Sequence, residues 1–144
     1  MTLRIVVDTN LWIRALLGGQ VTLPILTAWQ AGKFAVVVSQ PLIDELGDVW
    51  QRPRLRARIN PEDAERLLEQ LRLRGEWVEP TTVPPRCRDP KDHPVLATAI
   101  DGHADAIISG DADLRADDEL RTAMGQYGVT LWGVDGLLER IGVG

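Results

Sequence analysis

Two rhythms of apolar and polar positions run along the chain. Residues 3–7 (Leu-Arg-Ile-Val-Val) form an apolar, mostly β-branched run with one charge, the pattern of a central parallel strand buried on both faces. Shorter runs at 34–39, 105–109 and 129–132 predict further strands, and Glu-Trp-Val-Glu at 76–79 predicts a short one at a sheet edge. Between them the apolar positions fall at three- and four-residue spacing. Leu11, Trp12, Ile13 and Leu16 mark a first helix broken by Gly18-Gly19; a second runs from about 23 to 31 and stops at Gly32. A third starts near Ser39 with Pro41 in its first turn and carries the stripe Leu42, Leu46, Val49, Trp50. Residues 61–74 predict a helix with Ala64, Leu67, Leu68 and Leu71 inward, and Gly75 ends it. After a loop at 81–85, an Asp89-Pro90 turn opens a helix near Asp92 that ends around Gly102; a closing helix spans 134–141 with Leu137, Leu138 and Ile141 inward. Strands alternating with helices predict an α/β architecture.

Composition narrows the class. At 144 residues the chain is one domain's length, and 44% apolar with 26% charged residues is the balance of a folded globular protein. The apolar runs are too short to span a membrane, and the chain enters a strand directly, without the layout of a signal peptide. One cysteine, Cys87, excludes an internal disulfide and, with only two histidines, a zinc-ribbon site; a cytoplasmic setting is expected, with Cys87 incidental. The net charge of −5 argues against a protein that coats nucleic acid non-specifically. Arginines at 52, 54, 56 and 58 nevertheless form a basic connector. All basic residues except Lys33 and Lys91 are arginine, which suits phosphate forks and equally reflects a GC-rich genome.

The acids carry the candidate chemistry. Asp8 follows the first strand, where open α/β sheets bind ligands, although Asp8 or Asn10 also suits a helix cap. Glu45 borders the apolar stripe of its helix, whereas Asp44 and Asp48 face away; a carboxylate there needs a cation or an arginine partner. Asp92 lies on the stripe of Val95, Leu96 and Ala99, or serves as a first-turn acid. The strand at 105–109 leads through Ser109 and a tight turn at Gly110 to Asp111 and Asp113, of which Asp113 also suits a helix cap. Acids 117–119 read as a solvated run, His93 and His103 as surface residues, and the five tryptophans as core or interface. Two carboxylates about 4 Å apart repel by roughly 4 kcal/mol at an effective dielectric near 20, so a cluster of four or five is a poor structural choice unless a hard cation joins it. Mg²⁺ and Mn²⁺ prefer such oxygen ligands, and the chemistry that follows is metal-assisted phosphoryl transfer.

Asp8-Thr9-Asn10 closing the opening strand, the helical Glu45, Asp92 ahead of Leu96-Ala97-Thr98-Ala99, and Ser109-Gly110-Asp111-Ala112-Asp113-Leu114 stand in order along the chain. In this the chain resembles the PIN-domain nucleases, in particular the VapC-type toxins of bacterial toxin–antitoxin pairs. The resemblance runs the whole length and implies a single domain over residues 1–144, a three-layer α/β/α fold with a central, mostly parallel five-stranded sheet. It implies Asp8, Glu45, Asp92 and Asp111 as the acidic catalytic and metal site, with Asp113 as an auxiliary metal-binding acid. Asn10 and Ser109 match the supporting polar residues, Ser109 standing where Thr is common. The implied activity is a Mg²⁺- or Mn²⁺-dependent endoribonuclease, held by a cognate antitoxin and often a homodimer. Within it Asp8 and Asp111 are expected as direct ligands, Glu45 and Asp92 as completing the shell or holding metal-bound water. Arg52, Arg54, Arg56 and Arg58 are candidates for RNA phosphates or an acidic antitoxin segment, on one side only if that segment is extended. A nuclease that processes RNA without an antitoxin, and an inert PIN-fold binding module, are the alternatives. A phosphatase of the haloacid-dehalogenase type resembles the chain at Gly110-Asp111, but needs a second Asp where Asn10 stands.

Overall fold

A computed structural model describes residues 2–19, 23–86 and 90–142. Cys87 and the Asp89 half of the expected turn lie outside the described residues. The chain runs β1 (Arg4–Val7), α1 (Thr9–Leu16), α2 (Leu23–Gln30), β2 (Ala35–Val38), α3 (Gln40–Val49), α4 (Pro53–Arg56), α5 (Pro61–Arg74), β3 (Glu76–Trp77), a 3-10 turn (Pro90–Asp92), α6 (His93–Asp101), β4 (Ala106–Ile108), α7 (Ala112–Ala116), α8 (Asp118–Gly125), β5 (Thr130–Trp132) and α9 (Val134–Arg140). The strands pair in the order β3-β2-β1-β4-β5, every pairing parallel. This is the expected three-layer α/β/α fold, with all five strands parallel.

Side chains alternate across the sheet as the two-residue period demands. Ile5, Val7, Val36, Val38 and Ile108 pack with Leu11, Ile25, Leu46, Leu67 and Leu137, so α1, α2, α3, α5 and α9 cover that face. Val6, Val37 and Ile107 pack instead with Leu96, Leu114, Leu120 and Met124 of α6, α7 and α8. Leu42 joins this second cluster, so the stripe read on α3 is divided between the two faces. In the stretch 117–119, Asp118 and Glu119 are exposed as expected, whereas Asp117 accepts a hydrogen bond from the Leu120 amide at 3.1 Å and caps α8. That helix buries little beyond Leu120 and Met124, too few positions to set up a visible period.

The order of the strands decides where a site can form. From β1 the chain moves outward through β2 to β3, then returns through α6 to place β4 on the other side of β1. The sheet therefore reverses its winding between β1 and β4, and the crevice at their carboxyl ends is the natural ligand position. The register carries through it: Val7 pairs with Ile108, and the Asp8 amide donates to the Ile108 carbonyl at 2.9 Å.

The single charge in β1 belongs to the opposite, amino-terminal edge. Arg4 bonds Glu76 on β3 and donates from Nη1 to the carbonyls of Gly102 (2.6 Å) and His103 (3.0 Å), while its amide donates to Asp105 (2.9 Å). One side chain thus ties the edge strand to the end of α6. Arg4→Ala is expected to cost about 1–2 kcal/mol, mostly from the carbonyl bonds because the ion pair is solvent-accessible, and urea denaturation measures it.

Asp101 anchors the loop after β3. It accepts from the amides of Thr81 (2.6 Å) and Thr82 (2.9 Å) and from the Thr82 hydroxyl. The Thr82 hydroxyl, then its amide, hold the Asp101 carboxyl below its usual value of 3.8. A depressed acid stabilises the fold fully above its unfolded value and loses that contribution as pH falls through the folded one. The stability difference between wild type and Asp101→Asn is therefore expected to stay constant above about pH 5 and to close below about pH 4. A gap unchanged down to the acid transition would refute this role.

Candidate active site

Asp8 is the first residue beyond β1, and its side chain is buried although it carries a carboxylate. Ser109, the first residue beyond β4, donates its hydroxyl to Asp8 Oδ2 at 3.0 Å and accepts the Asp111 amide at 3.0 Å. A relay of two hydrogen bonds thus spans the switch point: backbone amide, serine hydroxyl, aspartate. The Asn10 and Thr9 amides also draw on the carboxylate, but Asp8 makes no capping hydrogen bond to α1, so capping is the lesser part of its position. Burial is the largest influence on its acidity and raises it. Ser109 and the two amides oppose that rise, and the negative charge of Asp111 adds to it. The net direction is upward. The site holds a carboxylate where ionisation is unfavourable, beside a second acid.

Asp111 is exposed and does two things. Its Oδ1 accepts the amides of Asp113 (2.9 Å) and Leu114 (3.3 Å), capping α7, while its charge is felt at Asp8. The cap expected of Asp113 therefore belongs to Asp111, and Asp113 is an exposed first-turn residue.

Glu45 is half-buried on α3, and Thr9 Oγ1 donates to its Oε2 at 3.0 Å. Thr9 directly follows Asp8, so this bond joins the third acid to the same strand end. Asp92 is half-buried at the start of α6 and makes no capping bond to its helix. Because α6 precedes a strand parallel to β1 and lies against β1, β2 and β4, it begins at the carboxyl edge. Asn10 is exposed; its amide, not its side chain, supports Asp8.

A second polar link fixes the helices that carry Glu45 and Asp92. Ser39 precedes α3, Thr98 is in the middle of α6, both are fully buried, and their hydroxyls are 2.7 Å apart. Thr98 Oγ1 lies 2.6 Å from the Pro94 carbonyl and donates to it. A hydroxyl has one proton, so Ser39 must donate to Thr98. Thr9, Ser39 and Thr98 were not evident as site residues from the sequence; the only local signal is that Thr9 adjoins an acid at a strand end.

The structure thus links Asp8, Ser109 and Asp111, and joins Glu45 through Thr9. Among the described residues no three His, Cys, Asp or Glu side chains converge as a ready-made metal cage. The connector arginines are all exposed, and Arg54 and Arg56 lie on the short helix α4, with Arg52 before it and Arg58 beyond. A helical turn spreads them around its axis, so they form no one-sided row.

No curated protein matches the chain. The model of the PIN domain matches residues 4–113, a span that opens on β1 and closes just past the Ser109–Asp111 relay. The chain belongs to the PIN-domain family.

Proposed function

We propose that the protein is a divalent-metal-dependent endoribonuclease, the toxin of a type II toxin–antitoxin pair. The family supports nuclease chemistry on nucleic acid in general. The observation that carries the sharper reading is the buried Asp8, held by Ser109 and facing the charge of Asp111 at the winding switch. A carboxylate placed against burial and a like charge is costly alone and favourable beside a cation.

The donor set fits Mg²⁺ or Mn²⁺: it is all oxygen, and such ions are held through one or two carboxylates with water filling the remaining positions, so no three-acid cage is required. Asp8 and Asp111 would hold the ion, with Glu45 and Asp92 completing the shell or orienting its water. When bound, the metal supplies polarisation of the scissile phosphate and a lowered pKa for the attacking water. The chain's own residues do the positioning. Ser109 fixes the Asp8 carboxylate through one oxygen, Thr9 fixes Glu45, and Asp111 uses Oδ1 for the cap.

The rest of the reading is proposed with it: an antitoxin partner, a homodimer, a cytoplasmic setting, and residues 1–144 acting as one unit. β5 and α9, beyond the matched span, complete the same sheet and its helical layer, which supports the last point. Among the described residues no helix is long and apolar enough to cross a membrane. The test is cleavage of a mixed RNA pool by purified protein with Mg²⁺, Mn²⁺ or EDTA, beside Asp8→Asn. Metal-dependent cutting lost in the variant supports the nuclease; cutting that survives in Asp8→Asn, or no cutting together with indifference to Mn²⁺, overturns it. A small adjacent reading frame with a DNA-binding pattern tests the toxin assignment.

A further inference from the structure

Two strand ends at the same edge stop in glycines that their backbone conformation does not require. Gly110 follows Ser109 after β4, and Gly133 follows Trp132 after β5; neither has a positive φ, Gly133 having φ −85°. What each glycine provides is the absence of a side chain. A Cβ on Gly110 would stand 2.6 Å from Arg14 Nη1, and one on Gly133 would stand 2.8 Å from Arg115 Nη1. Each bare Cα is therefore a seat for a guanidinium.

One seat lies within the acidic relay and the other on the strand end beside it. Gly110 lies between Ser109 and Asp111, and the Ser109 amide donates to the Trp132 carbonyl at 3.0 Å, which sets Gly133 on the adjoining strand end. Arg115 is one turn after Asp111 in α7, its amide donating to the Asp111 carbonyl at 3.2 Å. Among the described residues neither guanidinium has an ion pair or hydrogen bond, although Asp111 and Asp113 are close in the chain. Arg115 Nε is buried with no acceptor. A buried charged donor without a partner is costly, and a multivalent anion is the ligand that relieves it.

We propose that Arg14 and Arg115, seated on Gly110 and Gly133, bind two backbone phosphates of single-stranded RNA on the β5 side of the phosphate presented to Asp8 and Asp111. This rests on the nuclease reading for its substrate class. It assigns RNA binding to two arginines in place of the connector at 52–58. The fork geometry matches phosphate, and the two sites receive the strand along the carboxyl edge from β4 towards β5.

The test uses fluorescence anisotropy with a labelled mixed-sequence single-stranded RNA, in an Asp8→Asn background so that nothing is cut, across a salt series. Arg14→Ala and Arg115→Ala are each expected to weaken binding about tenfold and to flatten the slope of log affinity against log salt by about 0.7, one phosphate contact each. Gly133→Ala keeps every charge but removes the seat, and should weaken binding in the same direction; Arg66→Ala, on α5 and paired with Asp63, should change nothing. Melting temperatures confirm that each variant is folded. If the arginine variants bind with unchanged affinity and slope while wild type cuts RNA, the proposal is overturned and the nuclease stands. Arginine-dependent binding by a protein that never cuts supports the phosphate seats and removes the nuclease. No RNA binding by any form overturns both.

Discussion

Asp8→Asn is expected to erase RNA cleavage and, in the absence of divalent metal, to make the protein more heat-stable. On the proposed mechanism the activity loss should reach at least about 10³-fold, since the variant removes a charge that would help hold the metal and changes almost no volume. The stability gain follows from the sign of the acidity change. Burial, with the charge of Asp111, makes the folded protein hold the Asp8 proton to higher pH than the unfolded chain does. Stability must then fall as pH rises from about 3.8 through the folded value, and the full penalty is present above it. Asparagine keeps the acceptor for Ser109 and carries no such penalty. The melting temperature of Asp8→Asn should match wild type at low pH and exceed it at neutral pH. Millimolar Mn²⁺ should raise the wild-type melting temperature and leave the variant's unchanged. A variant that melts lower than wild type at neutral pH and still responds to Mn²⁺ would show that Asp8 is a structural residue.

The second large effect concerns the buried hydroxyl pair. Thr98→Val preserves shape but strands the Ser39 hydroxyl, which has no other acceptor among the described residues, and leaves the Pro94 carbonyl without its side-chain donor. About 2–3 kcal/mol of unfolding free energy should be lost, read by urea denaturation. Ser39→Ala should cost less, because Thr98 continues to donate to Pro94 and only a lone pair goes unmet. The double variant should be more stable than the sum of the singles predicts, since neither hydroxyl is left stranded. Equal costs for the two singles would mean that the donor runs from Thr98 to Ser39 instead. Cleavage should also slow in Thr98→Val, because the pair joins the start of α3, which carries Glu45, to α6, which starts at Asp92.

What could be read from residues alone follows from how far each contact reaches along the chain. α5 was legible because Pro61, the inward Ala64, Leu67, Leu68 and Leu71, and Gly75 state its start, face and end within one segment. The central strands were legible because burial on both faces admits only apolar residues at Ile5, Val6, Ile107 and Ile108. α8 was not, because Leu120 and Met124 alone set no period. The acids of the site stood out as charges at strand ends and stripe borders. The hydroxyls that hold them did not, because Thr9 meets Glu45 across 36 positions and Ser39 meets Thr98 across 59, and a lone Ser or Thr carries no mark of its distant partner. Gly110 is legible as a turn, but the room it leaves for Arg14 is spatial, and no local pattern encodes it. Arg52, Arg54, Arg56 and Arg58 depended on whether their segment was extended or helical, and that choice lies in the backbone.

The bond between Asp8 and Ser109 joins residues 101 positions apart. During synthesis at roughly 5–20 residues per second, Asp8 waits on the order of 5–20 seconds before Ser109 exists to hold it. Through that interval β1 lacks β4, its partner on one side, and the crevice has only one wall. The order of the strands therefore acts as a timer, because the crevice cannot close until β4 has been made.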